Sequence, residues 1–323
     1  NYMDEKLYKE LRNITDEEKE ILQGRDNIDR RLYMEQQSDI INANKLLEQG
    51  KIITIRPHTR FIHFPKHTHD YIEVIYMCSG STTHIINDNK VVLEKGELLF
   101  LSMNAVQEIL PAKENDVAVN FIILPEFFNK ALNMIEMEES PLKDFIIESL
   151  VGKKGNIGYL HFKVADVLSV QNLIENLIWT IKNDSLNKRS INQITMGLLF
   201  VQLLNNTDRV EVGNNSDDRK LLITILRYIE ENYKDGELTN LAKNLNYDVY
   251  WISKKIKELT GSTYTDLVQR KRLNQAVYYL TQTNILIADI GLAIGYDNLS
   301  YFHRIFKARF GKTPKQYRDN YKK

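Results

Sequence analysis

Apolar and polar positions alternate with a period that changes along the chain. From Lys51 to Leu124 the apolar residues come in short runs: Ile52–Ile55, Arg60–Phe64, Tyr71–Met77, Thr82–Ile86, Lys90–Leu93, Leu98–Leu101 and Ala118–Leu124. Turn-forming segments separate several of them: Ser79-Gly80-Ser81, Asn87-Asp88-Asn89 and Glu94-Lys95-Gly96. Seven short strands with tight turns predict a small antiparallel sandwich or barrel. Before it, residues 1–50 read as helix. Thr15 and Glu18 form a capping box that opens a helix into Ile21 and Leu22, and residues 30–49 continue the helical reading up to Gly50.

After Pro125 the period is helical. Val167, Val170, Ile174, Leu177 and Ile181 make a heptad-like seam. Ile191, Ile194, Leu198 and Val201 make a second stripe. Helices that cover a sheet and helices that pair two subunits share this period, so the pattern leaves both roles open. Asn205 to Asp218 is polar and reads as a linker. Beyond it every stretch reads as helix. The expected organisation is a helical extension at 1–50, a barrel at 51–125, a helical packing or dimerisation region at 126–206, a linker at 207–217 and an all-helical domain at 218–323.

Composition narrows the class. The chain is 43% hydrophobic and 27% charged, the balance of an ordered globular protein. No apolar run reaches the roughly 18 residues a membrane span needs, and Asn1 to Glu20 carries no signal-type apolar stretch. A single cysteine, Cys78, excludes an intrachain disulfide, so a cytoplasmic location is expected. Formal net charge is zero, yet Asp217 to Lys323 holds 19 Lys and Arg against 12 Asp and Glu, a net of +7. A basic C-terminal third on an acidic remainder points to a polyanionic partner at that end.

Two C-terminal segments share one grammar. Leu238, Leu241, Ala242 and Leu245 form a short amphipathic helix, and Asp248 can cap a second one with Ile252, Ile256 and Leu259 inward. Ile287, Ile290 and Ile294 lead into Gly295-Tyr296, and Asp297 or Asn298 can cap a helix with Phe302, Phe306 and Phe310 inward. This is helix-turn-helix patterning, twice. A helix from Tyr264 to Leu280, carrying Arg270-Lys271-Arg272, joins the two.

Ala276 to Arg318 resembles the signature of the AraC/XylS family of transcription regulators. The resemblance rests on Ala276, Leu280, Ile290, Gly295-Tyr296, Asp297, Ser300-Tyr301-Phe302, Arg304, Phe306-Lys307, Gly311, Thr313-Pro314 and Tyr317-Arg318. Leu241 to Arg272 resembles the family's first helix-turn-helix, with Ile256 where an aromatic is usual. The resemblance implies two readout helices in successive major-groove segments of double-stranded DNA, about one turn apart. Residue by residue, the base-reading positions are Val249, Tyr250, Ser253 and Lys254 on the first, and Leu299, Ser300, His303 and Arg304 on the second. Lys257, Lys307, Arg309 and Lys312 are the candidate phosphate contacts.

The strand region holds a second constellation. His67, His69 and Glu73, on one face of a strand by spacing, form a potential transition-metal half-site. His67-x-His69-x3-Glu73-x6-Gly80 resembles the first metal motif of the cupin fold, and Lys95-Gly96-Glu97 the start of the second. Gln107 stands where a metal-binding cupin has histidine, and Met103 where it has proline. Glutamine is a poor transition-metal ligand, so no metal and no cofactor is expected. The candidate effector-lining residues are His67, His69, Tyr71, Glu73 and Gln107, with Arg60 and Asn120. Such a mouth suits a hydroxyl-rich ligand.

The expected fold class is α+β: an N-terminal cupin-like β-barrel with helical extensions and a C-terminal all-α double helix-turn-helix domain. The expected function is a ligand-responsive, sequence-specific DNA-binding regulator and not an enzyme. It would be an activator working as a homodimer, with a small-molecule effector and a carbohydrate the leading candidate. The competing reading is a metal-dependent cupin enzyme fused to a DNA-binding domain; its support is the His67, His69 and Glu73 trio.

Overall fold

The computed structural model describes residues 3–103, 105–134, 141–151, 158–213 and 217–322. The N-terminal segment starts with two locally capped helices. Asp4 accepts a hydrogen bond from Leu7 N at the head of α1 (Glu5–Arg12), and the Thr15–Glu18 capping box opens α2 (Asp16–Leu22). The helical reading then fails. Residues 30–49 form a 3-10 turn at Arg30–Leu32, strand β1 (Ile40–Ile41) and a four-residue helix, α3 (Ala43–Leu46). Tyr33, Met34, Ile41 and Ala43 bury against Ile62, Phe64, Tyr71, Ile109 and Ile122 of the strand region. Those tertiary contacts override the local helical pattern.

Two sheets follow. The strands are β2 (Ile53–Pro57), β3 (Phe64–His69), β4 (Ile72–Ser79), β5 (Ser81–Ile86), β6 (Asn89–Glu94), β7 (Leu98–Leu101), β8 (Gln107–Ile109) and β9 (Val117–Ile123). Alternation fixes their faces: Thr82, His84 and Ile86 of β5 and Val91 and Leu93 of β6 point inward. Asn87 and Asp88 both take positive φ, +47° and +66°, as a two-residue hairpin turn between β5 and β6 requires. The run expected at Arg60–Phe64 is mostly loop, and β8 is a strand the pattern did not show.

The helices α4 (Pro125–Met134), α5 (Pro141–Val151), α6 (Leu168–Lys182) and α7 (Lys188–Leu204) come next, with β10 (Tyr159–Phe162) between α5 and α6. Strand β11 (Val210–Val212) forms inside the segment expected to be a polar linker, whose residues 214–216 lie outside the described residues. The sheet orders are β1-β3-β8-β5-β6 and β11-β10-β7-β4-β9-β2. Val170, Ile174 and Leu177 of the predicted seam are 0–1% exposed. Their face of α6 is therefore core, while Ile191, Ile194 and Leu198 of α7 stay 41–50% exposed.

From Asp217 the chain is helical: α8 (Asp217–Asn232), α9 (Leu238–Asn244), α10 (Val249–Thr260), α11 (Tyr264–Gln282), α12 (Ile287–Ala293), α13 (Leu299–Phe310) and α14 (Pro314–Tyr321). Contacts divide the chain into two units, Asn1–Met137 with Ile146–Asn215, and Glu138–Phe145 with Ser216–Lys323. Leu273, Ala276, Leu280, Ile290, Ile294, Tyr296, Phe302 and Phe306 form a core of the second unit. Among the described residues no helix is long and apolar enough to cross a membrane.

Candidate functional sites

The two readout helices are built alike. Asp248 accepts hydrogen bonds from Tyr250 N (2.9 Å) and Trp251 N (3.0 Å) to start α10. Asn298, rather than Asp297, accepts from Tyr301 N (2.9 Å) to start α13. Each helix has 12 residues and stops at a glycine in the left-handed region, Gly261 and Gly311. Ile252 and Ile256 anchor the first helix inward, Phe302 and Phe306 the second.

The opposite faces are open. Tyr250 is 82% exposed; Ser253, Lys254, Ser300 and Arg304 are exposed, and Val249, Leu299 and His303 are half-buried. The Arg304 guanidinium lies 5.2 Å from the Tyr301 ring centre. Lys257, Lys307, Arg309 and Lys312 are exposed. Trp251 stacks on Tyr247 at 4.5 Å beside Tyr250, an exposed aromatic pair outside the candidate base-reading residues.

The basic triplet of α11 has a different task. Lys271 is buried and pairs with Glu230 at 2.7 Å. Arg272 donates to the carbonyls of Tyr233 (2.6 Å) and Lys234 (2.7 Å) and lies 4.9 Å from the Tyr296 ring centre. Gly295 lies against the same carbonyl: a Cβ there would sit 2.3 Å from Lys234 O. The α8–α9 connection, α11 and the second turn are thus locked together.

In the first unit, polar side chains from both sheets meet around one carboxylate. His67 and His69 project from β3, His84 from β5, Gln107 from β8, Glu73 from β4 and Asn120 from β9; His58 follows β2. The chain turns between His69 and Ile72, so Glu73 comes from the opposite sheet and not from the histidines' own strand. His58, His67, His69, Glu73, His84, Gln107 and Asn120 are all buried.

Their hydrogen bonds are directional. Thr82 Oγ1 lies 2.8 Å from His84 Nε2, and His84 Nδ1 2.8 Å from Gln107 Oε1. Gln107 Nε2 donates to Glu73 Oε2 (3.2 Å) and lies 3.4 Å from His67 Nε2. His67 Nδ1 meets the Pro65 carbonyl at 2.7 Å. His58 Nδ1 lies 3.3 Å from Asn120 Oδ1, and Asn120 Nδ2 donates to Glu73 Oε1 (3.0 Å). Both donor chains end on Glu73. His69 Nε2 is 3.0 Å from Glu73 Oε2, but off the hydrogen-bond direction. His69 Nδ1 and His58 Nε2 have no partner among the described residues.

Burial favours the neutral form of His58, His67 and His84. It lowers His67 to about 4, with His69 adding to the effect, and His84 to about 3, with His58 adding. Burial lowers His58 as well. For Glu73, burial works against the charge, but His69, His67 and His58 outweigh it and hold the carboxyl at about 2.

A transition metal fits this set poorly. Gln107 supplies an amide where an imidazole would be needed, His67 Nε2 faces that amide, and both Glu73 oxygens accept from amides. Among the described residues no three His, Cys, Asp or Glu side chains converge as metal ligands.

The expected lining residues divide. His67, His69, Glu73, Gln107 and Asn120 meet at this centre, and Tyr71 touches its edge, its ring 5.0 Å from that of His69. Arg60 does not belong there. It is 2% exposed and forms a two-pronged pair with Glu18: Nε to Oε1 at 3.0 Å, Nη2 to Oε2 at 2.7 Å. Nη1 donates to the Glu114 carbonyl and Nη2 also to that of Arg12, so its donors are spent on the fold. His58 and His84 were missed. The inward register of β5 carried a signal for His84, whereas His58 lies in a loop with none.

Residues 49–199 match the AraC-like ligand binding domain, and residues 241–320 match a helix-turn-helix domain. The HTH-type transcriptional activator RhaR of Escherichia coli is 24% identical over 261 residues, 79% of this chain and 87% of that one. The HTH-type transcriptional activator RhaS of Mannheimia succiniciproducens is 25% identical over 273 residues, 82% of this chain and 93% of that one. Among solved structures, apo ToxT from Vibrio cholerae is 14% identical, spanning 84% of this chain and 98% of its own, with a TM-score of 0.38.

Proposed function

The chain belongs to the AraC family of transcriptional activators, and on that premise we propose which residues read its operator, where it senses its effector and how it pairs. Val249, Tyr250, Ser253 and Lys254 of α10 and Leu299, Ser300, His303 and Arg304 of α13 read bases. Lys257, Lys307, Arg309 and Lys312 hold phosphates. The observation that carries this reading is the open basic face of two helices that each start on a side-chain cap and stop at a left-handed glycine. Lys254, Lys257, Lys307 and Lys312 make no ion pair among the described residues, so these charges are free for a polyanion.

A binding-site library tests it. Arg304→Ala should relax one operator position at a cost of ~1–3 kcal/mol, because a bidentate arginine contact reads one guanine. Lys307→Ala should weaken all sites about equally and flatten the salt dependence by about one phosphate contact. Uniform losses in both variants would assign Arg304 to the backbone as well.

The effector site is the polar centre around Glu73. A sugar suits it because each hydroxyl both donates and accepts. The centre offers acceptors at Glu73, amides at Gln107 and Asn120, and unpartnered nitrogens on His58 and His69. A thermal-shift screen of sugars should find a ligand that stabilises the first unit by ~2.7 kcal/mol at 100 times its dissociation constant. Glu73→Gln should abolish that shift.

The subunits pair through α7, where Ile191, Ile194 and Leu198 form an exposed apolar stripe at helical spacing. Two copies tether two DNA-binding units and raise the effective concentration of the second. The protein works in the cytoplasm, as a regulator and not as an enzyme.

A further inference from the structure

Helix α7 begins against the usual chemistry of helix ends. Its N-cap, Asn187, has φ +59° and makes no side-chain cap bond, and the first turn contains no acidic residue. The first two helical residues are instead Lys188 and Arg189. Cations there face the positive end of the helix dipole, and the leading N–H groups have no capping oxygen. Such a local conflict marks a place where something else supplies the compensation.

A cavity of 280 Å³ lies at this helix end, lined by Lys188, Arg189 and Asn192 and by Lys51, Phe127 and Ile181 among others. Asn192 is 3% exposed, and its Oδ1 has no hydrogen-bond partner among the described residues. A buried acceptor left unpaired is costly, so it calls for a donor from within the cavity. One carboxylate shares the lining, Asp184, which lies 3.2 Å from Lys188 Nζ. Lys51 is drawn the other way, to Glu48 at 2.7 Å. Arg189 makes no ion pair among the described residues and is exposed.

We propose that this cavity is a second ligand site, separate from the centre around Glu73, and that it takes a small phosphate monoester bearing a hydroxyl group. The phosphate accepts from the uncapped N–H groups of α7 and pairs with Lys188 and Arg189. The hydroxyl donates to Asn192 Oδ1. The carbon portion lies on the half-buried Ile52 and Ile181. Neither a bare anion nor a neutral polyol satisfies all three features.

The test is titration calorimetry on the full chain at constant ionic strength. The probes are glycerol 3-phosphate and glucose 6-phosphate, with inorganic phosphate, sulfate and glycerol for comparison. Saturable binding of one ester per chain is expected, at least tenfold tighter than inorganic phosphate or sulfate, with no binding of glycerol. Arg189→Gln should weaken the ester at least tenfold without lowering the unliganded melting temperature, which should rise slightly because a cation leaves the positive end of the helix. Asp184→Asn should tighten it severalfold by removing the competing carboxylate, a gain that damage to the fold cannot mimic. Three results would overturn the proposal: no saturable binding of either ester, sulfate and ester binding alike (an adventitious ion only), or affinities that ignore both substitutions.

Discussion

Lowering the pH from 7.5 to 5 perturbs the polar centre without touching a covalent bond. In the folded unit His67 takes up a proton only near pH 4 and His84 only near pH 3. In the unfolded chain both titrate near 6.5. Below about 6.5 the unfolded state therefore binds protons that the folded state refuses. The stability these two histidines contribute is complete above that value and is lost as pH falls. The loss levels off only near 4 for His67 and near 3 for His84. By linkage each costs about 2 kcal/mol at pH 5, about 4 kcal/mol together. His58, lowered by the same burial, acts in the same direction. Glu73 follows in stronger acid, between about 4.5 and the value near 2 at which it is held in the fold. Against a typical domain stability of ~5–15 kcal/mol this is a large share. The chain's two tryptophans separate the units, with Trp179 in the first and Trp251 in the second. In a Trp251→Phe variant, urea unfolding followed by Trp179 fluorescence should show a midpoint about 2 M lower at pH 5 than at pH 7.5, for an m-value of ~2 kcal/mol/M. His84→Gln should remove about half of that dependence. A Trp179 midpoint that stays constant over this range would mean His67 and His84 are not held neutral, and the directional network ending on Glu73 would be wrong.

Further outcomes follow from burial, pairing and the donor set. Ile194→Glu should give a folded monomer by sedimentation and circular dichroism, because Ile194 is 50% exposed on α7. Leu177→Glu should unfold the first unit, since its buried charge costs several kcal/mol, and an Ile194→Glu protein that still dimerises would move the interface elsewhere. Glu18→Gln should destabilise the first unit by ~3–5 kcal/mol, because it leaves the Arg60 guanidinium buried without its carboxylate. A double variant with Arg60→Met should recover most of the loss in the same urea assay. Metal analysis after dialysis should find far less than one equivalent per chain; a retained equivalent of Zn, Fe, Mn or Ni would revive the enzyme reading.

The C-terminal unit was legible because its signals are local. Asp248 and Asn298 each cap a helix from within three residues, and Gly261 and Gly311 end those helices immediately. The strand region was legible by alternation, but strand partners are distant in sequence. Counting placed Glu73 on the histidines' face; the chain instead turns before β4, and the carboxylate reaches His69 from the opposite sheet. The stripes on α6 and α7 have the same period, so only tertiary packing distinguishes the buried Val170, Ile174 and Leu177 from the exposed Ile191, Ile194 and Leu198. Arg60 reads as a binding residue because an arginine beside a barrel strand attracts that role. Its partner Glu18 lies 42 residues away, in a capping box of its own.

Glu18 in fact does both. Thr15 N donates to its Oε2, and Arg60 grips both of its oxygens. One carboxylate thus fixes the start of α2 and fastens the N-terminal segment to the sandwich. That segment brings Tyr33, Met34 and Ile41 against Phe64 and Tyr71, whose rings lie 4.7 Å from His67 and 5.0 Å from His69. The apolar cluster and the polar centre therefore share a wall. A ligand that reaches Glu73 must exchange the amide hydrogen bonds of Gln107 and Asn120 for its own and press on that wall. Whatever it costs to open the centre is subtracted from the intrinsic affinity. The ligand shifts the protein between arrangements only as far as it binds the opened one more tightly. On the proposed reading, sensing would be a competition between two sets of partners for one buried carboxylate, beside the wall that the N-terminal segment packs against.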